Sequence, residues 1–525
     1  MKILKLIVIC SFALLVQITI KAQSIKQTKL EQDFDHPPQA VKPSCFWFWL
    51  NNSTDKEGIT RDLEEFKSKG IGGVTLICGS NWSGGAPAYR GPGFLSPEWR
   101  ELFKHSLKEA SRVGIEVAMN FCASGWTMGG PWITPELNGR WFVQSELSVS
   151  GPQKFKGALP LPDPRGGYKP PYNLNVAVSM KWPKEKMDYR DNSIVAFRTA
   201  DKQATSLGVE RLKLLDAKSN RRDGSCFLFP DQVMNPTIIP WTSSPGDVAI
   251  VPSEVFDLTK KVTPDGTLEW DVPEGNWTII RTGHVATGAP LSCILPEMTD
   301  GALAVDWLNP DAVDAMFKNM GDILTKDAGP LTGTTLKYLH TDSYEDGYPN
   351  WTDRMLEKFR EYRGYDPAPY TPVFSGRIVG SAEISDRFLY DYRKTAADLF
   401  ADGSLKRMSD LAHKNGMLSE SESAGPSWSG TVCIDALKNL GRSDYPMGEF
   451  WNEGTFVNRA SEQNYVCKQT ATAAQTIQSL WSNVGANILS MPGIGPGTPF
   501  AAGVHAAFPD GKYGSIRFFW STSVS

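Results

Sequence analysis

Carboxylates gather where apolar runs end. "LKYLHTDSYEDG" (336–347) opens with Leu336, Tyr338 and Leu339 around a single lysine and closes on His340, Asp342, Ser343, Tyr344, Glu345 and Asp346. "MLSESESAG" ends with Glu420 and Glu422, and "RSDYPMGEFWNE" presents Asp444, Glu449 and Glu453. "CFWFWLNN" ends with Trp47, Trp49, Asn51 and Asn52, and "VAMNFCASGW" with Asn120, Ser124 and Trp126. One acid at a strand end is ordinarily a helix cap or a solvated loop residue. Several around one mouth repel each other unless a cation, a substrate or a shifted pKa offsets the repulsion.

Paired carboxylates without a His/Cys nucleophile arrangement point to glycoside hydrolysis. One protonated acid donates to the leaving oxygen while the other activates water or attacks the sugar. Ser343 and Ser427 are not set in G-x-S-x-G. The 6 histidines show no metal spacing, so a His/Cys metal site is not expected, whereas a hard, oxygen-liganded ion is compatible with the acids. Trp47 or Trp49 can stack on a sugar ring, with Phe46 and Phe48 expected in the core.

Those residues need elements that bring them together. "SCFWFWLNN", "GVTLICGS" and "IEVAMNFCAS" read as strands. They are separated by two helices, one capped among Ser53, Thr54 and Asp55, the other by Ser96 with Pro97 in its first turn. This alternation implies parallel pairing. From about 141 to 296 short strands split by Pro, Gly and Asn replace it, most simply a β-sandwich, with a turn at Asp265–Gly266. The alternation then resumes to about 492, with a long helical stretch bent near Gly403 and a strand at 483–491.

The expected fold is therefore α/β: a (β/α)8-type (TIM) barrel, incomplete, with an inserted all-β sandwich domain after its third strand. Such barrels carry chemistry at the carboxyl ends of their strands. An open doubly wound sheet is the alternative, but no G-x-G-x-x-G or Walker-type loop is present.

The chain has 525 residues, 41% hydrophobic and 21% charged, with a net charge of -4, so it lacks the basic footprint of a nucleic-acid binder. Its 17 tryptophans suit sugar faces and a β-rich core alike. Residues 1–22 read as a secretory signal, with Lys2 and Lys5 ahead of an apolar run and Ala22 as cleavage site. A membrane anchor is the alternative, but the run is short for a bilayer. The expected mature chain is periplasmic or secreted, with no membrane span. The remaining cysteines are scattered and read as buried small hydrophobes.

"PSCFWFWLNNSTDKEGITRDLEEFKSKGIGGV" resembles the opening of the catalytic region of glycoside hydrolase family 106, the α-L-rhamnosidases. "HTDSYE", "SESESAGPSW" and "GRSDYPMGEFWN" resemble its later barrel motifs, in the same order. The resemblance covers roughly residues 40–475. It implies an exported, exo-acting, inverting, calcium-dependent hydrolase that removes terminal α-L-rhamnose from pectic rhamnogalacturonan side chains. Carried over by motif, Glu345 matches a catalytic carboxylate and Glu449 a second essential glutamate. Asp342, Glu422 and Asp444 match sugar or calcium contacts, and His340 and Trp47 are grouped with the substrate contacts.

The resemblance breaks at "VGANILSMPG", where Asn487 and Ile488 stand in place of a family glutamate. Asparagine cannot exchange a proton as a carboxylic acid does. This predicts a chain truncated or frame-shifted after about residue 475, with an irregular tail over 493–525. A catalytically impaired sugar-binding fragment is the alternative, as is a barrel glycosidase for another sugar.

Overall fold

The computed structural model describes residues 28–79, 90–122, 128–163, 187–200, 214–216, 218–219, 240–243, 247–288, 291, 302–342, 344, 350–422, 435–451, 470, 472–474, 501–507 and 515–518. The expected signal segment 1–22, Glu345, Glu453, Ser427 and the stretch with Asn487 and Ile488 lie outside these residues.

A short helix, α1 (Lys29–Asp35), precedes strand β1 (Ser44–Leu50). Helix α2 (Lys56–Ser68) follows, capped by Asp55, whose carboxylate accepts from the Gly58 amide at 2.8 Å. Then come β2 (Gly73–Gly79), α3 (Pro97–Val113) and β3 (Glu116–Asn120). Helix α3 has the cap its sequence predicts: the Ser96 hydroxyl accepts from the Trp99 amide, Pro97 opens the first turn and Gly114 closes the last at φ 72. Strands β1, β2 and β3 pair in parallel, as expected from the helical crossovers.

The aromatic strand is turned the other way from the sequence expectation. Trp47 and Trp49 are buried on the helix side of the sheet, where the Trp47 indole donates to Asp62 at 3.1 Å and Trp49 meets Trp99 edge-on. Neighbouring residues of a strand face opposite ways, so Phe46 and Phe48 occupy the other face, and Phe46 meets His340 edge-on at 5.9 Å. Each indole carries an N–H that benefits from a partner when buried, and α2 supplies one for Trp47. Trp47 is thus a packing residue here, corrected from a sugar platform.

The inserted region contains β4 (Gly129–Gly130), β5 (Arg140–Ala158), β6 (Arg190–Arg198), β7 (Phe256–Asp257), β8 (Thr267–Ala286) and β9 (Leu303–Ala304). Four of these form an antiparallel sheet in the order β5-β8-β6-β7, with Trp270, Trp277, Ile194 and Ile279 in its own small core. Among the described residues the insertion holds this single sheet rather than a sandwich, together with helical residues at 214–216 and short 3-10 turns at Pro252–Glu254 and Thr259–Lys261. The Asp265–Gly266 turn forms as predicted, with Gly266 at φ 82. Asn138 ties the neck of the insertion. Its amide donates to the Ala304 carbonyl at 2.7 Å, and its Oδ1 accepts from Gly288 N and Thr287 Oγ1.

Beyond it lie α4 (Pro310–Met316), α5 (Asp322–Ala328), β10 (Leu336–Thr341), α6 (Met355–Arg363), α7 (Ala382–Phe400), α8 (Lys406–Lys414), β11 (Leu418–Ser421), α9 (Ala436–Leu440), β12 (Tyr445–Trp451), β13 (Ala501–Ala507) and β14 (Ser515–Phe518). Single π-turns join α4 to α5 and α7 to α8, the second at Ala401–Leu405. Gly403 lies in that turn, the predicted bend. A Cβ there would come 3.1 Å from the Leu308 carbonyl, so the helix packs close to the chain leading into α4.

The main sheet runs β1-β2-β3-β10-β11-β12-β13-β14. The pairs from β1 through β12 are parallel, whereas β12–β13 and β13–β14 are antiparallel. The mixed α/β architecture and parallel sheet match the expectation; the two reversed strands depart from an all-parallel (β/α)8 barrel. Cys45, Cys78 and Cys122 are buried and reduced, in keeping with small core residues.

Candidate active site

Strand β10 sits between β3 and β11 and sets the site. His340 is level with Asn120 on one side and Glu420 on the other, and Glu420 is level with Tyr445 of β12. Two residues earlier, Tyr338 packs with Ala118, Leu418 and Tyr445, which marks this face as the inner side of the sheet. Asp342 and Glu422 follow one alternation further, at the carboxyl ends. The two tips are joined by the Glu422 amide donating to the Thr341 carbonyl at 3.1 Å.

His340 is fully sealed from solvent. Its Nδ1 lies 3.2 Å from Glu420 Oε1 and its Nε2 3.8 Å from Asp342 Oδ2. At these distances both carboxylates act directly on the ring. Burial alone would lower the imidazole pKa, but Asp342 and Glu420 outweigh it and raise it to about 9. The ring is therefore an imidazolium at neutral pH. The Thr75 hydroxyl donates to the same Glu420 oxygen at 3.3 Å. His340 thus lies beneath the strand ends as a buried cation between two acids. It is not a surface a sugar touches directly.

The other expected site residues divide. Asp342 and Glu422 lie at the carboxyl ends, both almost fully buried. Glu449 is on β12, its backbone opposite Gly503 of β13. Glu345 falls outside the described residues, between the described Tyr344 and Asn350. Asp444 is at the opposite end. It immediately precedes β12, its Oδ2 accepts from the Ser419 amide at 2.8 Å, and it contacts His413 Nε2 at the end of α8 at the same distance. In this structure Asp444 ties the amino-terminal ends of β11 and β12 together, away from the acid cluster. The sequence motif gave no sign of this, because an acid one residue before a strand looks the same as one at its tip.

Asn51 and Asn52, also polar residues after a strand, serve the backbone. Both have positive φ (50 and 51), a conformation asparagine tolerates, and the Asn52 amide group accepts from the Trp99 indole and donates to Pro92.

Asp306 is a buried acid that sequence reading missed. Burial raises its pKa to about 7, against the opposing effect of hydrogen bonds from Thr352 at 2.7 Å and the Leu308 amide at 2.9 Å. "AVDWLNP" shows only a lone acid before a helix, and nothing in it announces complete burial.

The resemblance implies calcium. Among the described residues no three His, Cys, Asp or Glu side chains converge to hold a metal ion. Among the described residues, Asp342 and Glu420 flank the His340 ring.

Acids at the carboxyl ends of parallel strands stand where such sheets carry their chemistry. Residues 35–482 match the family described as alpha-L-rhamnosidase, and the chain belongs to that family, glycoside hydrolase family 106. A protein of Formosa agariphila, provisionally named a beta-glucuronidase, is 33% identical over 428 residues, covering 81% of this chain and 33% of that protein. The solved structure of a rhamnosidase from Novosphingobium sp. PP1Y superposes with a TM-score of 0.63 at 26% identity, covering 80% of this chain and 49% of that one. The chain thus spans about a third of the curated relative and about half of the solved rhamnosidase. Among the described residues no helix is long and apolar enough to cross a membrane.

Proposed function

We propose that the chain is the catalytic region of an exported glycoside hydrolase that removes terminal α-L-rhamnose from pectic rhamnogalacturonan side chains. The observation that carries this reading is the row of acids at the β10 and β11 tips in a chain of the α-L-rhamnosidase family. Glu345 follows that β10 tip in sequence, and Glu449 lies on the next strand but one. One of the two carboxyls would protonate the glycosidic oxygen while the other activates water on the opposite face of the ring, giving inversion. Asp342 and Glu422 would hold sugar hydroxyls. His340, from below, would offset the charge of the ionised acids. Calcium is implied by the resemblance alone.

The test is release of rhamnose from an aryl α-L-rhamnoside, with Glu345→Gln as control. Turnover by the parent that disappears in the variant supports the reading; undiminished turnover in the variant removes Glu345 from the mechanism.

The name of the Formosa agariphila relative favours a second reading, a glycosidase for a uronic acid. An aryl β-D-glucuronide assayed in parallel decides between them. Saturable rhamnoside binding without turnover would point instead to a sugar-binding fragment, the reading that Asn487 motivates.

A further inference from the structure

Two contacts reach across the main sheet rather than along it. The order β1-β2-β3-β10-β11 leaves β3 and β10 between Thr75 of β2 and Glu420 of β11. Laid flat, those three strand steps span about 14 Å. The Thr75 hydroxyl nevertheless donates to Glu420 Oε1 at 3.3 Å. Phe46 of β1 and His340 of β10 are also three steps apart, yet their rings meet edge-on with centroids 5.9 Å apart. The sheet is therefore curled, with this face on the inside.

The interior so formed carries a polar layer, with Thr75, Glu420 and His340 all buried. Branched apolar side chains ordinarily fill the inside of a closed parallel sheet, because a buried polar group costs free energy unless it is paired. Here each group meets the next. Thr75 donates to Glu420, Glu420 Oε1 lies 3.2 Å from His340 Nδ1, and His340 Nε2 lies 3.8 Å from Asp342 Oδ2. With Nδ1 on Glu420 and Phe46 against the ring, Nε2 is directed at Asp342. An apolar layer of the same volume would serve stability at least as well. What the polar one adds is a fixed direction for the carboxylate above it.

We propose that Thr75, Glu420 and His340 form a cross-sheet support that sets the orientation of the Asp342 carboxylate toward the sugar. The three are then positioning residues, and Asp342 is the group that meets the substrate. The sugar contact rests on the rhamnosidase reading; the support itself does not.

The experiment uses the full chain with Thr75→Val, which removes the hydroxyl, Thr75→Ser, which keeps it, and Glu420→Gln. Two readouts are taken. One is the ring 1H–15N spectrum of 15N-histidine-labelled protein, where only 6 histidines contribute and the His340 signal is the one missing in His340→Gln. The other is kcat and KM on an aryl α-L-rhamnoside. The His340 signal should shift in Thr75→Val and Glu420→Gln and stay parental in Thr75→Ser. KM should rise by roughly 10-fold in Glu420→Gln and about 3-fold in Thr75→Val, with kcat within about 2-fold, as weakened sugar binding requires. An unshifted His340 signal in both variants overturns the support. A shifted signal with parental KM overturns its positioning role, and so does a Thr75→Ser variant that behaves like Thr75→Val. Should Glu420→Gln fail to fold, the two Thr75 variants decide alone. If the parent releases no rhamnose, the functional reading fails, while the ring spectrum still decides the support.

Discussion

His340 and Glu420 stand level on neighbouring parallel strands, β10 and β11, with imidazole Nδ1 3.2 Å from carboxylate Oε1 and both side chains closed to solvent. A buried cation needs opposite charge close by, and this carboxylate supplies it. This pair makes the acid cluster a stable element of the fold.

Removing one partner of this pair leaves charge uncompensated. His340→Gln should destabilise the chain by roughly 3–5 kcal/mol, read as a fall in midpoint in chemical denaturation. Adding Glu420→Gln to it should recover part of that loss. Additive losses in the double variant would show that the two groups do not interact.

The same pair gives a pH signature. The folded imidazole pKa, raised to about 9, exceeds its unfolded value. The stabilisation is therefore complete below the unfolded pKa of about 6.5 and is lost as pH rises through 9. Thermal midpoints should decline across that window in the parent, and His340→Gln should lack this decline.

Asp306 acts at lower pH. Its pKa, raised to about 7, means that the folded chain retains a proton the unfolded chain releases near its model value of 3.8. By linkage, stability falls as pH rises between these values, by up to about 1.4 kcal/mol per pH unit. Asp306→Asn should flatten that slope in midpoints recorded from pH 4 to 7. A slope unchanged by the substitution would assign it to other groups.

Asp444 separates a structural from a substrate role. Asp444→Ala breaks its bonds to Ser419 and its contact with His413 and should cost about 1–3 kcal/mol, with KM for the rhamnoside unchanged. A large rise in KM without loss of stability would place Asp444 back among the sugar contacts.

Calcium dependence is checked by chelation followed by calcium re-addition. Loss and recovery of turnover are expected from the family resemblance. Activity constant throughout would leave the acids to work with His340 alone.

Periodicity made the parallel strands, the capped helices and the insertion legible, because Ser96, Pro97 and Asp55 act through bonds to their near neighbours in sequence. The strand-tip acids Asp342 and Glu422 were legible for the same reason: an apolar strand must end where its polar residues begin. What escaped depends on long-range packing. Which face of β1 turns inward was settled by helix partners such as Asp62 and Trp99. The end of the sheet reached by Asp444 was settled by α8 and Ser419. The burial of Asp306 was settled by Thr352, far along the chain. The reversed direction of β13 and β14 had no local signal at all.

Asn138 joins the entry and exit of the inserted sheet through one carboxamide, and Arg140, two residues on, accepts from the Asn350 and Trp351 amides through its carbonyl. The insert is consequently no interchangeable cassette. A chimaera that grafts another β module here would have to cut downstream of Phe142 and upstream of Thr287, retaining the host's own stem on either side. Cuts nearer the main sheet would sever both ties in one stroke.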